Sequence, residues 1–103
     1  MDSTVNNLTL EYARKVQEAH NPKAVYLYGS YAKGTQSEYS DIDVAVVFDD
    51  VDDDKYMKVY GNLWTIAARV DGRIEPKLII DDGIEDKFSM LYEIKKTGQL
   101  VTA

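Results

Sequence analysis

The chain has 103 residues, and its 12 Lys and Arg stand against 18 Asp and Glu for a formal net charge of −6. That length predicts one small domain over residues 1–103, with a modest core. Cys is absent, so disulfide scaffolds and thiolate metal sites are excluded, and hydrophobic residues at 45% disfavour intrinsic disorder.

Met1-Asp2-Ser3-Thr4 lacks the basic-then-apolar order of a secretory leader. No apolar run approaches the ~20 residues of a membrane span, so a cytoplasmic chain with no membrane partner is expected. From residue 4 to 20, Val5, Leu8, Tyr12, Val16 and Ala19 recur at helical spacing, which predicts an amphipathic helix. Ser3 or Asp2 is placed to cap it, and Asn21-Pro22 ends it. His20 is expected to cap carbonyls at that end; as the sole His it offers neither a metal cluster nor a Ser-His-Asp triad. Residues 23–28 are rich in β-formers and read as a strand. Gly29-Ser30 breaks it, residues 30–33 suit one helical turn, and Gly34 closes that turn. Residues 35–40 read as polar loop. Residues 41–48 are mostly apolar after the first three and read as a central strand.

Residues 49–54 hold five Asp in six positions; most of the run reads as solvated loop, while Asp53 and Asp54 suit a helix start. The helix that follows carries Tyr56, Val59, Tyr60, Leu63, Trp64, Ala67 and Val70 on one broad stripe, read as core rather than as a base-stacking platform. Asp71-Gly72 turns the chain. Residues 73–80 read as a third strand, in which Pro76 signals an edge, a start or a bulge. After the Asp82-Gly83 turn, residues 84–96 read as a last helix with Ile84, Phe88, Leu91 and Ile94 inward and Gly98 as its stop. Residues 99–103 are expected to add a short edge strand or to fray. Alternating helices and strands make the fold class α/β (α+β).

The chemistry concentrates in residues 29–47, GSYAKGTQSEYSDIDVAVV. Side chains two apart on a strand share a face, so Asp41 and Asp43 point the same way with Cα atoms ~6.6 Å apart. Two such carboxylates can converge on hard cations, alone or as a bridged pair of ions about 3.5–4 Å apart. Without a cation they repel, and one pKa rises. An Asp-x-Asp is also a common solvated strand start, so the pair alone decides nothing. Gly29-Ser30 leaves a strand and opens a helical turn, which presents backbone N–H groups to an anion. Gly permits close approach, and the Ser hydroxyl can donate to a phosphate oxygen. The combination with a second Gly, a polar loop and Ser-Asp-x-Asp opening a buried strand is more telling than any of its parts.

With Gly29-Ser30, Ala32, Gly34 and Ser40-Asp41-Ile42-Asp43 in that order, and ten residues between Ser30 and Asp41, the segment resembles the signature of the polymerase-β-like nucleotidyltransferase superfamily. The short chain resembles its minimal branch, the MNT type, many members of which act as antitoxins beside HEPN-domain toxins. The resemblance implies a small mixed β-sheet flanked by helices, the nucleotidyltransferase fold. It implies that Gly29 and Ser30 hold nucleotide phosphates and that Asp41 and Asp43 bind two Mg²⁺ ions. It further implies transfer of a nucleoside monophosphate from an NTP, ATP first among them, to an acceptor hydroxyl with release of pyrophosphate. Such transfer needs in-line positioning and charge neutralisation more than covalent help from the protein.

The family supplies a third carboxylate from a neighbouring strand. Glu75, in Arg73-Ile74-Glu75-Pro76-Lys77, is the candidate as third metal ligand or catalytic base, although Asp is commoner in the family; Asp71, in the turn, is the runner-up. Lys33 lies beside the phosphate loop as a candidate nucleotide contact. Ser40 is expected to brace the Asp41 loop, Thr35 and Ser37 are loop hydroxyls without an assigned role, and Lys77 is placed to screen phosphate charge if its strand faces the site. A chain this short shows no second region to hold a nucleic-acid or drug acceptor, and its acidity argues against long nucleic acid. The resemblance therefore points to a protein acceptor, a HEPN-type toxin silenced by AMP transfer. Two other readings stay open: a binding module that neutralises its partner by covering it, and the catalytic subunit of a small-molecule nucleotidyltransferase completed by a separate helical chain.

Overall fold

The computed structural model describes residues 3–34 and 40–101. Its elements are α1 (Ser3–His20), β1 (Ala24–Tyr28), α2 (Ser30–Lys33), β2 (Ile42–Phe48), α3 (Asp53–Val70), β3 (Ile74–Ile80), α4 (Met90–Thr97) and β4 (Gln99–Leu100). The four strands form one sheet in the order β3-β2-β1-β4. β1 runs antiparallel to β2 and to β4, while β2 and β3 are parallel. A parallel pair needs a crossover connection, and α3 supplies it. The mostly apolar β2 is central, as its sequence requires. Pro76 resolves to the edge option, since among the described residues β3 has a neighbour only on the β2 side and a missing N–H is tolerated there.

One face of the sheet builds the core. Val25 and Leu27 from β1, Ile42, Val44 and Val46 from β2, and Ile74 and Leu78 from β3 meet α1 through Val5, Tyr12 and Val16. Leu63, Ile66 and Ala67 bring α3 onto the same cluster. The buried Tyr12 hydroxyl donates to the Leu63 carbonyl at 3.0 Å, tying α1 to α3. Thr9, also buried, is satisfied within its own helix by the Val5 carbonyl at 2.7 Å.

Several expectations are corrected. Ala19 is exposed; Ser3 begins α1, and the expected cap by Ser3 or Asp2 lies outside the described residues and side chains. The end of α1 is closed by Asn21, whose φ is 47° and whose N–H donates to the Gln17 carbonyl at 3.0 Å. His20 therefore does not cap carbonyls: its Nε2 lies 2.7 Å from Asn62 Oδ1, and its ring meets Phe48 edge-on. On α3, Trp64 is 43% exposed and Ile66 takes the inward place, because Trp64 sits about 100° round the helix from Leu63.

The last helix begins at Met90 rather than at residue 84, and Ile84 and Phe88 stand 73% and 99% exposed instead of inward. The cause is local. Asp86 accepts the Phe88 N–H at 2.9 Å, and Ser89 caps α4 by accepting the Tyr92 N–H at 3.1 Å. Ile94 alone of the four expected residues is buried, while Leu91 is half-buried. Gly98 does stop the helix, but in an extended conformation; a Cβ there would lie 2.5 Å from the Ile94 carbonyl oxygen and 3.1 Å from that of Leu27. Among the described residues no helix is long and apolar enough to cross a membrane.

Candidate active site

The sheet face away from α1 and α3 carries the chemistry-bearing side chains. Tyr28 pairs with Asp43 across β1 and β2, and Asp43 pairs with Glu75 across β2 and β3. Laterally paired residues point to the same face, so Tyr28, Asp43 and Glu75 form one row. Asp41 lies two residues before Asp43, just ahead of the strand, where the Ile42 N–H donates to the Arg73 carbonyl at 2.8 Å. The next row is Tyr26, Ala45 and Lys77. The structure thus brings Asp41, Asp43 and Glu75 together, with Lys77 one row away.

Electrostatics agree with that placement. The Asp43 carboxyl is held above its ordinary range by burial and then by the charge of Asp41, with Lys77 opposing. The Glu75 carboxyl is raised by desolvation, by the charges of Asp41 and Asp43, and by a hydrogen bond shared with Asp41. The Tyr28 phenol is pushed up to about 12, first by burial and then by Asp43 and Glu75. Desolvation, and then neighbouring negative charge, thus make Asp43 and Glu75 less willing to ionise. Asp71 differs. It accepts the Arg73 N–H at 2.8 Å and the Arg73 guanidinium at 3.1 and 3.2 Å, and that side-chain bond holds its carboxyl below the ordinary range. It is engaged in the turn rather than in the row.

The Gly29-Ser30 turn abuts the row. Gly29 caps α2 at φ 74°, and Gly34 closes it at φ 75° with its N–H donating to the Ser30 carbonyl. A Cβ on Gly29 would strike the Asp43 carboxylate, 3.2 Å from its Cγ. Gly29 is therefore required twice, for its backbone conformation and for the room Asp43 occupies. Ser30 is half-buried at the start of α2, and Ser40, also half-buried, directly precedes Asp41. Lys33 ends α2, but its side chain, like Thr35 and Ser37, lies outside the described residues. Tyr28 and the Gly29–Asp43 contact are the features sequence reasoning missed. Both depend on strand register, which no local pattern reveals.

Residues 11–103 match the family model described as Polymerase beta, Nucleotidyltransferase. The chain belongs to this family. Over 58 residues this nucleotidyltransferase-family chain is 33% identical to "Putative protein adenylyltransferase MJ1215" of Methanocaldococcus jannaschii, a match that covers 56% of this chain and 65% of that protein's length. A crystal structure from Sulfolobus solfataricus, described as a putative nucleotidyltransferase, superposes with a TM-score of 0.62 at 23% identity, covering 94% of this chain and 78% of the other. Another, described as "Crystal structure of the toxin-antitoxin with AMP-PNP", superposes with a TM-score of 0.58 at 25% identity, covering 91% and 73%. The expected mixed sheet flanked by helices is the fold these structures share with the chain.

Proposed function

We propose that this nucleotidyltransferase moves AMP from ATP onto a hydroxyl of a partner protein, a HEPN-type toxin, and so acts as its antitoxin in the cytoplasm. The observation that carries the reading is the row of Asp43 and Glu75, with Asp41 beside it, against the Gly29-Ser30 turn. A protein adenylyltransferase name on a relative and a toxin–antitoxin neighbour with AMP-PNP support the substrate and the partner.

Asp41, Asp43 and Glu75 are hard oxygen donors whose charges oppose one another, a set that fits Mg²⁺. Among the described residues no group of three or more His, Cys, Asp or Glu side chains is placed to hold a metal ion by itself, and Mg²⁺ ordinarily takes one or two carboxylates together with substrate phosphates. When bound, such ions supply neutralisation of the triphosphate and of the leaving pyrophosphate. The chain's own residues do the rest. The N–H groups at the start of α2 and the Ser30 hydroxyl hold phosphate oxygens, with Lys33 and Ser40 beside them. Glu75, exposed on the edge strand, receives the acceptor's proton. The acceptor oxygen forms its bond to the α-phosphorus as the α–β bridging P–O bond breaks, and pyrophosphate leaves with that electron pair.

The test is incubation with labelled ATP, Mg²⁺ and the protein encoded by the adjacent reading frame, followed by mass spectrometry of both chains. The expected result is one AMP added to a Tyr, Ser or Thr of the partner, from substoichiometric enzyme and only with nucleotide. Full neutralisation at equimolar protein without nucleotide would replace transfer with covering.

A further inference from the structure

We propose that the outward face of α3 is a self-association surface, on which two copies of the chain pair antiparallel about Gly61. Met57, Gly61, Trp64 and Ala68 recur at i, i+4, i+7 and i+11, a single stripe on the side of α3 turned away from Leu63, Ile66 and Ala67. Met57 is 74% exposed and Trp64 43%, while Gly61 and Ala68 are exposed between them. A Gly inside a helix weakens it, and nothing among the described residues requires one here, since beyond its own helix backbone no described atom lies within 4 Å of where a Gly61 Cβ would stand. The close approach of another helix backbone does require a small residue. The stripe thus sets a large indole beside a gap of the kind that indole fills.

Charge selects the occupant and its direction. The whole chain carries −6, yet α3 holds Asp53 and Asp54 against Lys55, Lys58 and Arg69, so two acidic chains repel least here. The acids occupy the first turn and Arg69 the last. Parallel pairing would set like charges together. Antiparallel pairing about Gly61 sets the Asp54 turn of one copy against the Arg69 turn of the other, and Lys58 beside the second copy's Trp64, a cation–π arrangement. It also opposes the two helix dipoles. Among the described residues the ion pairs use Lys23, Lys55, Arg73 and Lys95 as cations, which leaves Asp54, Lys58 and Arg69 for this contact. A single helix of ~27 Å, at about 1.5 Å per residue, is smaller than a permanent dimer interface needs, so the pairing is weak and concentration-dependent. The carboxylate row lies on the far face of the sheet, so both sites stay open.

The chain has no Cys, so one introduced thiol reports the axis directly. Gly61→Cys should form a disulfide-linked homodimer under mild oxidation much faster than Gly72→Cys, whose added side chain is equally unobstructed; circular dichroism checks that both fold. Sedimentation velocity of the unaltered chain should show the sedimentation coefficient rising with concentration, and Trp64→Ala should weaken the association at least tenfold. Asp54→Arg should weaken it as well, and adding Arg69→Asp should restore it. Equal cross-linking at positions 61 and 72, or a monomer at every concentration, would overturn the proposal. So would failure of the double exchange to restore what Asp54→Arg lost.

Discussion

Where β2 and β3 end, Asp81 is surrounded by donors; where they begin, Asp41, Asp43 and Glu75 face one another. The Asp81 side chain is only 9% exposed and accepts the Gly83 N–H at 3.0 Å, the Lys23 ammonium at 3.1 Å and the Lys95 ammonium at 3.2 Å. Those contacts, the Gly83 N–H foremost, lower its carboxyl to about 2. At the other end burial and like charge raise Asp43 and Glu75. The same residue type is satisfied by the fold at one end and opposed by it at the other. Gathering mutually repelling carboxylates does not stabilise a small domain; on the proposed reading, their placement serves what they would hold.

Removing a charge from each end should therefore have opposite effects. Asp43→Asn is expected to lower AMP transfer ~10²–10³-fold or more, the range for loss of a central electrostatic group, while the melting temperature holds or rises as repulsion is relieved. Asp81→Asn should leave transfer near the parent and lower the melting temperature. A labelled-ATP assay beside thermal melts checks both, and a melting loss in Asp43→Asn equal to that in Asp81→Asn would erase the distinction. Glu75→Gln comes next, with kcat falling ~10²-fold and nucleotide binding close to the parent. Asp71→Asn, which loses only its Arg73 contacts, should affect melting alone; the reverse pattern would move the third carboxylate to Asp71.

How legible this contrast was in the sequence depends on range. β1, β2 and α1 followed from local propensity and periodicity, and the Asp41–Asp43 spacing was visible because strand alternation is a two-residue rule. The Glu75 position relative to Asp43 rests on parallel register across a crossover, which local pattern does not encode; it was reachable only through family resemblance. The start of α4 failed for another reason. Ile84, Phe88, Leu91 and Ile94 keep helical spacing, but the side chains of Asp86 and Ser89 bond the backbone first, and that competition outweighs periodicity. Trp64 shows the limit of reading hydrophobicity as burial, since a large apolar residue one position round from the core stripe faces outward.

A smaller effect is expected at Gly29. Gly29→Ala meets a left-handed backbone and the Asp43 carboxylate at once. Strain of ~1–3 kcal/mol should lower the melting temperature, and transfer should fall several-fold through a displaced Asp43. If the Gly matters only for phosphate approach, nucleotide-free Mg²⁺ binding by calorimetry stays at the parent value; if it also makes room for Asp43, that binding weakens too.

The smallest effect is a shape rather than a loss. In the nucleotide-free, metal-free chain, Asp43 and Glu75 bind protons more tightly folded than unfolded, so their ionisation opposes folding. Stability should rise as pH falls from neutral through the range just above their ordinary values of 3.8 and 4.5. Asp81 has the opposite sign. Its contribution is present above 3.8 and is lost as pH falls from there towards about 2. The melting temperature should therefore pass through a maximum in mild acid. Asp43→Asn with Glu75→Gln should flatten the limb above the maximum, and Asp81→Asn the limb below it. Mg²⁺ with a non-hydrolysable ATP analogue should act on the upper limb alone, since only the carboxylate row is proposed to gain a counter-charge from it. A maximum that moves with Asp81→Asn but ignores the double variant would show that the row carries no net repulsion, and the contrast between the two ends would then rest on Asp81 alone.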